Sequence, residues 1–137
     1  MSETQTTAHI DHLVITCRDM EISRTFYTDI LGFEASDLED GRVEIQFGFC
    51  KINLQPYGRN YGPSSNAGRN WNCNFCILTP EPVKLLSEKL IRHGIEIEQG
   101  PAEKIGAMGP ILSIYIRDPD KNLVEISNPI RKSSLEA

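Results

Sequence analysis

Ile10-Asp11-His12-Leu13-Val14-Ile15-Thr16, followed by Asp19, by Ile22, Phe26, Tyr27 and Ile30, and then by Gly32, is the stretch that decides the fold. Its β-branched residues predict a strand, with His12 on the face shared by Ile10, Val14 and Thr16. Asp19 suits a helix N-cap, the apolar spacing after it is near-helical, and Gly32 is a natural C-terminal stop. Working outward, residues 33–38 and 42–47 predict two strands around Asp40-Gly41, a dipeptide fit for a tight hairpin turn. A third strand follows Gly48 at residues 49–55, so the order is β-α-β-β-β.

After a segment rich in Gly, Pro, Asn and Ser at residues 56–71, the order starts again. Residues 73–78 predict a strand. A helix begun near residues 80–82 carries Val83, Leu85, Leu86 and Leu90 and ends at His93-Gly94. Strands are predicted at 95–99, 111–117 and 122–127, the last two joined by Asp118-Pro119-Asp120. Residues 100–110 read as a flexible loop, suited to a lid. Laid over each other, His12-Leu-Val-Ile-Thr falls beside Asn74-Phe-Cys-Ile-Leu-Thr, and Ile52-Asn53-Leu54 beside Val124-Glu125-Ile126, which indicates one duplication.

The expected architecture is α+β: two paired βαβββ modules, residues 9–55 and 73–128, joined by a loop at 56–72 within one domain at 9–130. Residues 1–8 are expected to be a disordered leader and 131–137 a tail. One helix per module covers one sheet face, so the modules are expected to form a cupped mixed sheet whose other face encloses a central cavity.

With 137 residues, 39% hydrophobic, the chain suffices for one such domain. A net charge of −5 with scattered Lys and Arg argues against a nucleic-acid partner. No run nears the ~20 apolar residues of a membrane helix, and the polar N-terminal residues lack a signal pattern, so the expectation is a cytoplasmic protein with no membrane partner. Cys17, Cys50, Cys73 and Cys76 read as reduced, mostly buried thiols, because Cys73 and Cys76, three apart on a strand, point to opposite faces. Walker, dinucleotide-binding and nucleophile-elbow motifs are all missing from the sequence.

Under the duplication, His12, Asn53, Asn74 and Glu125 are the polar positions that converge. Imidazole and carboxylate suit a first-row divalent metal, so His12 and Glu125 are candidate ligands, with Asn53 and Asn74 as weaker, neutral donors. Gln55 shares the face of Asn53. Phe47 and Tyr115 are candidate pocket-lining aromatics, and Lys104 and Arg117 candidate contacts for an anionic substrate. Each has a plainer reading: packed histidine, solvated carboxylate, hydrogen-bonded amide, core aromatic, surface charge. His9 and His93 read as structural or solvated.

The segments DHLVITCRDMEISRTFYTDILGF, KINLQPYG and EQGPAEKIGAMGPILSIYIRDPDKNLVEISNP resemble the vicinal-oxygen-chelate superfamily of glyoxalases, bleomycin-resistance proteins and extradiol dioxygenases, over about residues 10–129. Within it the chain is similar to the short group called glyoxalase domain-containing protein five. The resemblance implies paired βαβββ modules, a homodimer, a small-molecule substrate and a divalent metal, which is nickel, zinc, iron or manganese. By position, His12 matches the first-strand histidine ligand, and Glu125 matches the last-strand carboxylate and catalytic proton-transfer group. The pattern departs at Asn53, where Glu is common, at Asn74, where His or Asp is common, and at Gln55, where similar short proteins carry His. The function expected is that of a metal-dependent lyase, isomerase or dioxygenase, and the alternative is a metal-free sequestration protein of the bleomycin-resistance type.

Overall fold

A computed structural model describes residues 8–63 and 72–131. The chain divides into two compact units, Met1–Trp71 and Asn72–Ala137. Unit 1 contains β1 (His12–Cys17), α1 (Met20–Thr25), β2 (Glu34–Asp37), β3 (Val43–Phe47) and β4 (Cys50–Pro56). Unit 2 contains β5 (Asn74–Leu78), α2 (Val83–Arg92), β6 (Gln99–Gly106), β7 (Gly109–Arg117) and β8 (Leu123–Pro129). The chain is thus an α+β protein with two four-stranded sheets and few helices.

The two sheets share one topology. Their orders are β1-β4-β3-β2 and β5-β8-β7-β6, with the first strand of each unit parallel to its last and the other pairs antiparallel. The repeat extends to register. Val14, two residues after His12, pairs with Asn53; Cys76, two residues after Asn74, pairs with Glu125.

In unit 1, Ile15, Cys17, Val43, Ile45, Ile52 and Leu54 are buried. Side chains alternate across a strand, so these residues form one apolar face, and α1 lies against β4. Asp19 caps α1 as its sequence position suggests, its carboxylate accepting from the Ile22 amide at 3.1 Å. The predicted helix does not stay α throughout, because Phe26–Ile30 forms a π-helical turn closed by Leu31 N–H to Phe26 C=O at 3.0 Å. That turn buries both Phe26 and Tyr27, whose rings meet edge-on at 5.0 Å.

Helix α2 buries Val83, Leu86 and Leu90, one stripe at helical spacing, and contacts β7 and β8. Burying side chains of this size stabilises by roughly 1.5–3 kcal/mol each. Its N-terminus is capped from afar. Asn128 on β8 accepts from Val83 N–H at 2.8 Å and donates to the carbonyls of Thr79 and Glu81 at 2.8 and 2.7 Å. The Asp118 carboxylate organises the turn before β8, accepting from the Asp120 and Asn122 amides and from the Asn122 side chain, while Asn122 Oδ1 accepts from Cys73 N–H.

Two expectations are corrected. Residues 95–98 are not a strand; of the predicted 95–99 only Gln99 is, as the first residue of β6. Residues 100–110 are accordingly no lid loop but most of a β-hairpin, β6 turning through Ala107-Met108 into β7. Gly and Pro hid β6 because they weaken strand propensity, yet β6 is an edge strand, where Pro is tolerated. Gly100, at φ +101°, is required there, since a Cβ would collide with the Ser113 carbonyl. Of the predicted 56–71 connection, residues 64–71 lie outside the described residues, as do 1–7 of the leader and 132–137 of the tail. Among the described residues no helix is long and apolar enough to cross a membrane.

Candidate functional site

The face of the unit 1 sheet opposite its buried apolar residues carries the polar side chains. His12 opens β1 with its side chain 43% exposed, and its Nδ1 lies 2.8 Å from Asp11 Oδ1. A carboxylate only accepts, so Nδ1 carries the hydrogen, and in a neutral imidazole the Nε2 lone pair is then left for another partner. This hydrogen bond is the main cause holding the Asp11 carboxyl below its usual range. A carboxylate bracing one imidazole nitrogen is the arrangement found behind metal-bound histidines.

Asn53, on β4, is 6% exposed, and its Oδ1 has no hydrogen-bond partner. Buried amide oxygens are nearly always paired, so this one is an exception among the described residues. Gln55, equally buried, directs Nε2 to Thr16 Oγ1 at 3.4 Å, a weak contact. Lys51, beside His12 in register, is ion-paired with Glu44. Phe47 is a correction: it alternates with Gln46, lies on the apolar face and stacks on Phe33 at 4.9 Å. It belongs to packing rather than to the polar face.

In unit 2 the equivalent face has a cavity of about 220 Å³ lined by Asn74, Phe75, Cys76, Tyr115, Leu123 and Glu125. Glu125 stands between Cys76 on β5 and Tyr115 on β7, its register partners on either side. Its Oε2 accepts from Ser113 Oγ at 2.7 Å. Ser113 Oγ is 2.6 Å from Ser127 Oγ, which is 3.3 Å from Cys76 Sγ. Desolvation first, and then the neighbouring Glu125, push the Tyr115 phenol above its ordinary value. Cys76 is also pushed up, chiefly by desolvation, with Glu125 adding to the rise and the Ser127 hydrogen bond opposing it. Both groups therefore keep their protons at neutral pH.

Of the candidate anion contacts, Arg117 is ion-paired, making two 3.1 Å hydrogen bonds to the Glu98 carboxylate, and Lys104 lies beside the cavity residue Tyr115, over its ring at 5.7 Å. His93 caps α2, with Nδ1 2.9 Å from the Lys89 carbonyl. All four cysteines are free thiols, but of the expected mostly buried set Cys17 alone is buried; Cys50 and Cys73 are half-buried and Cys76 is exposed.

Among the described residues no three His, Cys, Asp or Glu side chains cluster as a metal site, so a metal centre must also draw on carboxamides. Each unit offers one strong donor and one amide: His12 with Asn53, and Glu125 with Asn74. Imidazole nitrogen and oxygen donors fit a borderline divalent ion, and the orphaned Asn53 oxygen is consistent with one. Sequence reasoning missed Asp11, Ser113, Ser127 and the Cys76 neighbour. The only trace of Ser113 was a small polar residue in the otherwise apolar run Ile111-Leu112-Ser113-Ile114.

These features define a class: a duplicated βαβββ protein in which each sheet has a helix-covered face and a second face bearing ligand-type polar groups. The chain belongs to the Glyoxalase/Bleomycin resistance protein/Dioxygenase superfamily, whose family model matches residues 9–126. Glyoxalase domain-containing protein RDO1 of Mycosarcoma maydis is 40% identical over 119 residues, 87% of this chain and 67% of that protein. Virulence protein STM3117 of Salmonella typhimurium is 40% identical over 118 residues, 86% of this chain and 82% of that protein. The STM3117 crystal structure matches with a TM-score of 0.83 at 38% identity, covering 90% of this chain and 98% of its own. A Vibrio cholerae integron cassette protein, VCH_CASS1, matches with a TM-score of 0.83 at 35% identity, covering 90% and 96%.

Proposed function

We propose that this chain is a small-molecule metalloenzyme of its superfamily, in which His12 and Glu125, assisted by Asn53 and Asn74, hold a divalent metal. The observation that carries the reading is the buried, unpartnered oxygen of Asn53 on the polar face that begins with the Asp11-braced His12. A metal so held would supply Lewis acidity toward a substrate carbonyl or enolate. The protein's own groups divide the remaining work. Tyr115 and Cys76 keep their protons and act as donors, which leaves Glu125 as the cavity group that takes a proton from substrate. The Leu123 side chain, on the same strand face as Glu125, favours a ligand with an apolar part. The assembly carried with this reading is a homodimer, and the compartment the cytoplasm.

A second reading is a metal-free binding protein, favoured by the neutral amides at Asn53, Gln55 and Asn74, which recognise a ligand by hydrogen bonding alone. Metal analysis separates the two. Protein purified without chelator or histidine tag is loaded with nickel, zinc, iron or manganese, alongside His12→Ala and Glu125→Ala. Stoichiometric metal in the parent, lost in both variants, supports the enzyme; a parent that retains none of the four refutes it in favour of the binder.

A further inference from the structure

Glu125 is tied sideways along its own sheet. Its direct register partner on β7 is Tyr115, yet its Oε2 is held by Ser113, two residues away on that strand. Long side chains reach such diagonal neighbours, whose Cα atoms are about 7–8 Å apart, only by leaning along the strand. Ser113 and Ser127 are themselves register partners, and both are wholly buried at 0% exposure.

The hydrogens in this network run one way. The carboxylate only accepts, so the single Ser113 hydrogen goes to Glu125. The 2.6 Å contact between the serines must then be filled by the Ser127 hydrogen, and Ser127 Oγ in turn accepts from the Cys76 thiol. Three contacts are filled by three hydrogens, and neither buried hydroxyl is left unmatched. An unmatched hydroxyl buried in this position is unfavourable, which favours the arrangement that keeps Glu125 as terminal acceptor.

The internal repeat provides a comparison. Asn53 occupies in unit 1 the register position of Glu125 in unit 2, and Gln55 that of Ser127. There Gln55 Nε2 meets Thr16 Oγ1 at 3.4 Å, and the Asn53 oxygen is unpartnered. The bracing is therefore particular to the unit that carries the carboxylate.

We infer that Ser113, backed by Ser127, is a positioning residue that locks Glu125 in one rotamer. The inference rests on the reading of Glu125 as metal ligand and proton acceptor. Loss of an outer partner of this kind typically weakens metal binding by about 10–100-fold. Ser127→Ala leaves the Ser113–Glu125 bond in place and is expected to have a smaller effect.

The test has two readouts on the full chain. Three-bond NMR couplings of the Glu125 side chain, measured without metal, are expected to show one rotamer in the parent and averaging in Ser113→Ala. Zinc titration is expected to give a dissociation constant about 10–100-fold weaker for Ser113→Ala than for the parent. Averaged couplings in the parent overturn the inference, and that measurement stands even if the variant does not fold. Unchanged couplings in a folded Ser113→Ala overturn it as well. A parent that binds no zinc, nickel, iron or manganese but keeps a single Glu125 rotamer, lost in Ser113→Ala, removes the metal reading and supports the positioning role.

Discussion

Replacing Asn53 by Leu should stabilise this protein. Asn53 is 6% exposed and its Oδ1 has no partner, so folding strips that oxygen of water and returns nothing. An unsatisfied buried acceptor of this kind costs about 1–3 kcal/mol, and Leu is close to Asn in shape while adding apolar burial. Part of the gain is lost to the extra bulk of a methyl group in a packed site, which leaves an expected net of about 1–2 kcal/mol. For a domain of this size a kilocalorie moves the midpoint by about 4 °C, so the rise should be about 4–8 °C. Urea denaturation followed by far-UV circular dichroism measures the free energy, and a thermal melt gives the midpoint. Asn53→Val, smaller and β-branched as a strand prefers, controls for bulk. If both variants lose 1 kcal/mol or more, the oxygen is paired in solution and the reasoning fails. Under the functional reading, the same Asn53→Leu protein should retain less metal, so that stability and binding move in opposite directions.

Asn128→Ala should act the other way. It removes three hydrogen bonds of 2.7–2.8 Å, one capping the Val83 amide of α2 and two holding the Thr79 and Glu81 carbonyls just before it, and the N-cap residue Pro82 makes no side-chain hydrogen bond to replace the cap. The expected loss is about 2–3 kcal/mol, or about 8–12 °C in the melt, and a loss below about 0.5 kcal/mol would count against the cap. Cys76 should react with iodoacetamide at pH 7 more slowly than a free cysteine, with a labelling midpoint shifted upward, because desolvation and then Glu125 raise its pKa. Glu125→Gln removes the opposing charge and should lower that midpoint; peptide-level mass spectrometry showing a parent midpoint at or below about 8.5 would contradict the account.

The legible part of the fold was what local periodicity encodes. Alternating β-branched residues announced β1, the spacing of Val83, Leu86 and Leu90 announced α2, and Asp40-Gly41 announced the β2–β3 turn. Strand β6 was illegible because Gln99-Gly100-Pro101-Ala102 carries no apolar alternation; pairing with β7 makes it a strand, not propensity. Phe47 was misread as pocket-lining because an aromatic residue on a strand does not reveal which face has a partner. Contact with Phe33 decides it.

The duplicated β-α-β-β-β order, and the four polar positions His12, Asn53, Asn74 and Glu125 within it, follow from the amino-acid sequence, since strand and helix periods and turn residues act over a few neighbours. The structure alone decided what each of those side chains touches: Asp11 behind His12, nothing on the oxygen of Asn53, and Ser113 beneath Glu125. Those contacts depend on strand register, and a slip of one residue turns every side chain to the other face. Register between β7 and β8 joins Ser113 to Ser127, fourteen residues apart, and register between β5 and β8 brings Cys76 to Glu125. It is set by packing the whole sheet against its helix, a long-range condition that no local stretch of sequence carries.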